Sequence, residues 1–290
     1  QLASQRIRLD AQMRHALDEN QFWVAYQPKV DLRTGQIMAM EALIRWQHPE
    51  KGLISPDDFI PIAEKTGFIV QIGSWVLRSA CLQAKKWIDQ GAKNIRVAVN
   101  VSMLQLASET FMEELLTILE ETGVEPKNLE LEITETAVME DVRSAARQLQ
   151  DLRSSGVYIS IDDFGTGYSS LAYLKTFALD YLKIDASFVA DMERDINDTA
   201  LIAAVIGMAH RLGLRVVAEG VETEAQLEHL RALQCDEVQG YLLSKPVTGE
   251  ESCVLLSSWS PLIAAADSET DESRPATQDD DDTVDKVSFG

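Results

Sequence analysis

Residues 22–44, FWVAYQPKVDLRTGQIMAMEALI, decide how the rest of the chain must be arranged. Two β-rich runs, FWVAYQPKV and QIMAMEALI, flank the turn-forming DLRTG, so they read as an antiparallel hairpin. Beyond the hairpin come helical patterns near residues 57–66 and 68–90, the second ending at Gly91, where a C-cap belongs. Strands near 95–101, 129–133, 157–162, 180–184, 214–218 and 236–239 then alternate with helices near 109–122, 141–155, 169–176, 195–212 and 223–233. Most of these strands are continuous apolar runs, the pattern of a parallel sheet covered on both faces. Eight strands in about 250 residues predict a modified, TIM-like (β/α)8 barrel whose first strand is antiparallel. An open doubly wound sheet is the structural alternative.

In such a barrel the functional site lies at the C-terminal ends of the strands. There stand Glu41 in MEALIRW, Asn100 in VAVNVS, Glu132 in LELEIT, and Asp162 and Asp163 in IDDFGTGYSS, residues 161–170. Lys183 and Asp185 in YLKID, Glu219 in VVAEGVET and Gln239 in DEVQGY continue the series. Each has a bland reading: Asn100 and Asp185 precede helix-like sequence and could cap it, and Asp-Asp followed by Gly-Thr-Gly could be a solvated turn. A mouth built only of caps would use Ser, Thr and Asp, not several long acids and a lysine. Carboxylates and an amide converging on one mouth are hard oxygen ligands, suited to Mg2+ or Mn2+ rather than zinc. Two adjacent like charges also repel unless a cation lies between them.

The rest of the composition narrows the function. The chain has 290 residues, 46% of them hydrophobic, enough for one large core. Its net charge of -21, from 47 acidic and 26 basic residues, argues against sequence-independent binding to DNA. A small anionic ligand is still compatible, because bound divalent ions invert the local field. Cys81, Cys235 and Cys253 are widely spaced, as reduced thiols of a cytoplasmic protein are. His48 falls in a turn and His210 and His229 in helical stretches, so no imidazole cluster points to zinc. No G-x-x-x-x-G-K-[ST] occurs, and GTGYSS resembles a phosphate loop in composition only. No apolar run approaches a membrane span and no signal peptide opens the chain, so no membrane contact is expected of it. Gln1 in place of Met reads as a piece of a longer protein, with residues 1–20 a helical lead-in from an upstream domain. The barrel is expected to fill residues 1–264. From residue 265 the composition turns acidic, with nine acidic and two basic residues over 267–290, and reads as a disordered tail.

EALIRW, VNVS, LEITET, DDFGTGYSSL, LKID, AEGVET and QGYLLSKP resemble, in order and spacing, the EAL-domain phosphodiesterases that hydrolyse cyclic di-GMP. The likeness covers about residues 10–250. It implies a barrel with an antiparallel first strand, and hydrolysis of cyclic di-GMP to linear pGpG with two Mg2+ or Mn2+ ions. By motif, Glu41, Asn100, Glu132 and Asp162 would hold the first ion, while Asp162, Asp163 and Glu219 would hold the second. Lys183 corresponds to the lysine that contacts the attacking water, and Gln239 to the glutamine beside it. Gln27 and Arg45 match substrate-contacting positions. Glu135 matches the glutamate that anchors the DDFGTGYSS loop, which in the family borders a dimer interface. The resemblance further implies a homodimer, upstream sensory or signalling domains, and a cytoplasmic place, either free or as part of a membrane-anchored protein. EALIRW for EALLRW and QGYLLSKP for QGYLFSKP are apolar exchanges away from the metals. Two other readings stand beside it. One is a receptor that holds cyclic di-GMP without turning it over. The other is a different metal-dependent barrel enzyme, such as an enolising lyase, which the absence of a Lys or His pair placed for proton abstraction disfavours.

Overall fold

The computed structural model of the chain describes residues 2–165, 174–192 and 196–262. Strand β1 (Phe22–Asp31) runs antiparallel to β2 (Ile37–His48), pairing Phe22 with Trp46, Gln27 with Glu41 and Lys29 with Ala39. A short β3 (Gly52–Ile54) extends β2 outside the ring. Then β4 (Arg96–Asn100), β5 (Leu129–Thr134), β6 (Tyr158–Phe164), β7 (Tyr181–Ile184), β8 (Arg215–Ala218) and β9 (Glu237–Val238) follow in parallel order from β2. Because β9 pairs antiparallel with β1 through Val30 and Val238, the sheet closes. The result is an eight-stranded mixed barrel with its first strand reversed, and the open-sheet alternative falls.

The helices lie outside this ring. The lead-in helix α1 is Leu2–Asp18. Helix α2 (Pro56–Thr66) starts where Ser55 accepts the Asp57 N–H with Pro56 in the first turn, and ends at Gly67 in the left-handed region. Helix α3 (Ile69–Asp89) buries Ile72, Val76, Leu77, Ala80, Cys81, Ala84 and Trp87 along one stripe against the barrel. Around the start of the hairpin, Phe22 meets Trp46 at 5.4 Å and Phe59 at 5.7 Å between ring centres. The expected helices over 109–122, 141–155, 195–212 and 223–233 are observed as Phe111–Thr122, Val142–Ser154, Ile196–Arg211 and Glu224–Ala232. Helices Met103–Leu106, Glu135–Glu140, Ala186–Asp191 and Gly249–Ser258 and strand β3 are additional. The expected helix at 169–176 falls mostly, and the acidic tail entirely, outside the described residues. Among the described residues no helix is long and apolar enough to cross a membrane.

The barrel lumen carries charge at its base. Arg96 opens β4 and donates to Glu130 Oε2 at 3.1 Å and to Glu237 at 3.0 and 3.1 Å. Its guanidinium lies over the rings of Tyr181 and Tyr158, 4.7 and 5.5 Å from their centres. Arg215 opens β8 and donates to Asp31 Oδ2 at 2.8 Å. These charges are tolerable only because each meets a partner, since removing one member strands the other in low dielectric. Arg96→Met leaves Glu130 and Glu237 without their shared cation. It is expected to lower stability by about 3–5 kcal/mol, read as a shifted urea midpoint with an unchanged slope.

Candidate metal centre

Strand register brings the predicted residues to one end of the barrel. Asn100 pairs with Glu132 across β4 and β5, and Thr134 with Asp162 across β5 and β6. Glu41 on β2 pairs with Ala98 on β4, two residues inward of Asn100. Lys183 is the penultimate residue of β7. Glu219, just past β8, is fixed by its N–H on the Ile184 carbonyl at 3.1 Å, and Gln239, just past β9, by its N–H on the Ala218 carbonyl at 2.9 Å. Oxygen atoms of Glu41, Glu132 and Asp162 come within 4.8 Å of one another, and so do those of Asp162, Asp163 and Glu219. Asp162 belongs to both groups.

Successive residues of a strand point to opposite faces, so two neighbouring aspartates should not serve one site. The chain resolves this with a bulge. The pairing of β6 with β7 shifts register between Ile161 and Phe164, and Asp163 adopts φ +56° in the left-handed region. This conformation is uncommon for a residue with a Cβ, though Asp is among those that adopt it. The Asp163 N–H donates to Asp162 Oδ1 at 2.8 Å, which fastens the two residues together.

Lys183 Nζ ties the carboxylates to one centre. It donates to Glu132 Oε2 at 2.8 Å and Asp162 Oδ2 at 3.0 Å, and lies 2.7 Å from Glu219 Oε1 and 3.8 Å from Glu41 Oε1. Glu41 is further held by Asn100 Nδ2 at 2.8 Å and Gln239 Nε2 at 2.6 Å. Gln239 Nε2 also reaches Gln27 Oε1 at 3.1 Å, and Gln27 Nε2 donates to the Ser244 carbonyl at 3.0 Å. Arg45 stands at the rim, with Nη1 on the Ile44 carbonyl at 2.9 Å rather than on a carboxylate. Asp185 is a cap: its Oδ1 accepts the Ser187 N–H at 3.1 Å. Asn100 is not one, since Ser102 and Gln105 form the capping box of the helix that follows.

Crowding shows in the titration of these groups. Burial, added to by Asp162, Glu41 and Glu132, pushes the Glu219 carboxyl up to about 8 despite Lys183. Burial and Glu41 raise Glu132, and burial with Asp162 and Asp185 raises Asp163. For Glu41 burial acts upward too, but Lys183 and Lys29 outweigh it and hold the carboxyl low. Burial opposes the charge on Lys183, yet its acidic neighbours raise it well above an ordinary lysine. Five carboxylates thus face the mouth around one ammonium. An all-oxygen donor set with surplus negative charge fits a hard divalent cation. The donor Lys29, fully buried on β1 beneath Glu132, was not among the expected site residues. A lysine inside an apolar strand run was its signal.

An acid-lined barrel mouth of this kind is a set of hard oxygen donors that could hold a divalent cation. The chain belongs to the EAL domain family, whose sequence profile matches residues 10–246. It is 45% identical over 249 residues to the bifunctional diguanylate cyclase/cyclic di-GMP phosphodiesterase MucR of Pseudomonas aeruginosa, covering 86% of this chain and 36% of that protein. It is 44% identical over 245 residues to the cyclic di-GMP phosphodiesterase NbdA of the same organism, covering 84% of this chain and 31% of that protein. The chain therefore spans about a third of the length of these relatives. Among solved structures it resembles the PaMucR phosphodiesterase in complex with c-di-GMP, with TM-score 0.82 and 45% identity over 84% of this chain and 99% of that one. It also resembles the EAL enzyme Bd1971 bound to cAMP and cyclic di-GMP, with TM-score 0.85 and 35% identity over 88% of this chain and 70% of that one.

Glu135 lies next to this centre and outside both oxygen groups. Its Oε2 accepts the Gly165 N–H at 3.1 Å, which pins the backbone just after the two aspartates. Gly165 has φ +99°, and a Cβ there would meet the Phe188 ring at 2.9 Å, so the position needs glycine. Glu135→Ala releases this backbone. The expected result is metal retention weakened by roughly 10- to 100-fold, as for other groups that orient ligands, checked by activity and metal loading across a Mg2+ series.

Proposed function

We propose that the chain hydrolyses cyclic di-GMP, opening one phosphodiester bond to give linear pGpG, with two Mg2+ or Mn2+ ions. The observation that carries this reading is the pair of oxygen groups sharing Asp162 at the barrel mouth. The likeness to MucR and NbdA, both named for cyclic di-GMP phosphodiesterase activity, supports the substrate. Glu41, Asn100, Glu132 and Asp162 would hold one ion, and Asp162, Asp163 and Glu219 the other. Such ions lower the pKa of the attacking water and stabilise charge developing at phosphorus.

The chain's own residues bind and orient. Lys183 draws Glu132, Asp162 and Glu219 to one point and presents an ammonium to the attacking water. Gln239 and Asn100 occupy both oxygens of Glu41 and so set the direction of that carboxylate. Gln27 links Gln239 to the Ser244 segment, and by the family motif it would touch the substrate there. Arg45 supplies a cation at the rim for a phosphate. The barrel of residues 1–264 and a homodimer belong to the same reading, as do further sensory or signalling domains, for which the greater length of the relatives speaks.

Incubation with cyclic di-GMP and Mg2+ should yield pGpG, and EDTA should stop it. Binding without hydrolysis would make the chain a receptor instead. Asp163→Asn keeps size and shape and removes one charge from the second group only. It should keep cyclic di-GMP binding and lose roughly a hundredfold to ten-thousandfold in turnover, the effect of several kcal/mol at the transition state. Calorimetric binding measured beside a pGpG assay decides this, and near-normal turnover would overturn the two-metal reading.

A further inference from the structure

We propose that Lys29 is a positioning residue that holds one oxygen of Glu132 so that the other faces the mouth; this rests on the metal reading given above. Lys29 sits within β1, and its side chain is wholly buried. Its ammonium crosses the lumen to donate to Glu130 Oε1 at 2.8 Å and to Glu132 Oε1. Glu132 Oε2 is held instead by Lys183 at 2.8 Å. The carboxylate is therefore gripped by two ammonium groups from two strands, one on each oxygen.

The two partners of Lys29 do not need it equally. Glu130 already accepts from Arg96 Nε at 3.1 Å through its other oxygen. Among the described residues, Lys29 is the donor that reaches Glu132 Oε1. Without it that oxygen would be a buried acceptor with no partner, which is costly in itself. The terminal torsion of a glutamate is broad and roughly twofold, so the released carboxylate could turn either edge toward the mouth. Groups that orient metal ligands in this way typically carry 10- to 100-fold in metal affinity. The reversed direction of β1 makes the arrangement possible. With Gln27 at the mouth and Asp31 at the base, Lys29 falls at the level between them.

The test is Mn2+ affinity, measured by calorimetry and by the EPR signal of free Mn2+, together with thermal unfolding. Three proteins are compared: the wild type, Lys29→Met, and Lys29→Met combined with Glu130→Gln. The double variant removes one charge of each sign, which restores the charge balance of the lumen while Arg96 keeps Glu237, and it decides the matter if the single variant does not fold. Positioning predicts Mn2+ binding weakened 10- to 100-fold in both variants. Two results overturn it: wild-type Mn2+ affinity in a variant that merely melts earlier, and recovery of affinity in the double variant, which would reduce Lys29 to charge balance. If the wild type itself takes up no Mn2+, the metal reading fails and this inference with it. If the wild type binds Mn2+ and the variants bind it equally well, only this inference fails.

Discussion

The contact on which this structure most depends is the ammonium of Lys183 among Glu132, Asp162 and Glu219. Carboxylates this close repel, and in a buried setting each would shed its charge before tolerating the others. One cation placed between three of them makes the cluster tenable, and the strands that carry them can then close at their own hydrogen-bond register. The same logic extends down the lumen. Lys29 lies between Glu130 and Glu132, Arg96 between Glu130 and Glu237, and Arg215 beside Asp31. Most barrels of this shape fill their interior with branched apolar side chains. This one fills much of it with ions in sequence, so the order of charges along each strand is as much a part of the fold as the apolar stripes of the helices outside.

That charge is not spread evenly. At the base, arginines and acids meet in pairs, and the aromatic faces of Tyr158 and Tyr181 shield Arg96. Toward the mouth acids outnumber bases, and the carboxyls of Glu132, Asp163 and Glu219 are all displaced upward. The polar end therefore carries surplus negative charge, the setting that suits a hard cation. Asp163 shows that the backbone also cooperates. A regular strand would have turned its side chain away, and a left-handed residue at a bulge brings it back.

How much of this could be read from the residues depends on the length scale of each signal. The hairpin and the six later strands were legible because apolar runs and their Gly or Asp punctuation span whole elements. Helices of a single turn or two, such as Met103–Leu106 and Ala186–Asp191, are too short for a helical period to develop. Gly249–Ser258 also escaped, although Thr248 with Glu251 forms a capping box that the sequence spells out. Glu41, Asn100, Glu132, Asp162, Asp163, Lys183, Glu219 and Gln239 stood out in the sequence because each is a polar residue within or just after an apolar strand run. Lys29 was not, because a lysine inside a strand gains meaning only once the lumen is known to be polar. The bulge at Asp163 was hidden for the same kind of reason: it arises from a mismatch between two neighbouring strands, which neither strand encodes alone.

The reversal of β1 has a consequence for how the molecule comes into being. β1 and β2 are neighbours in the chain, so their hairpin can form as soon as both have been made. The outer edge of β1, however, waits for β9, since Val30 pairs with Val238 from the far end of the barrel. Until then a newly made chain carries an open strand edge, the kind of surface that pairs with strangers. The seam that closes the ring joins only two residue pairs, as the β8–β9 pairing does. The barrel therefore closes on the step that turns a curved sheet into a vessel, and only after that step do Gln27 and Lys29 of β1 enclose the same space as Gln239, just past β9.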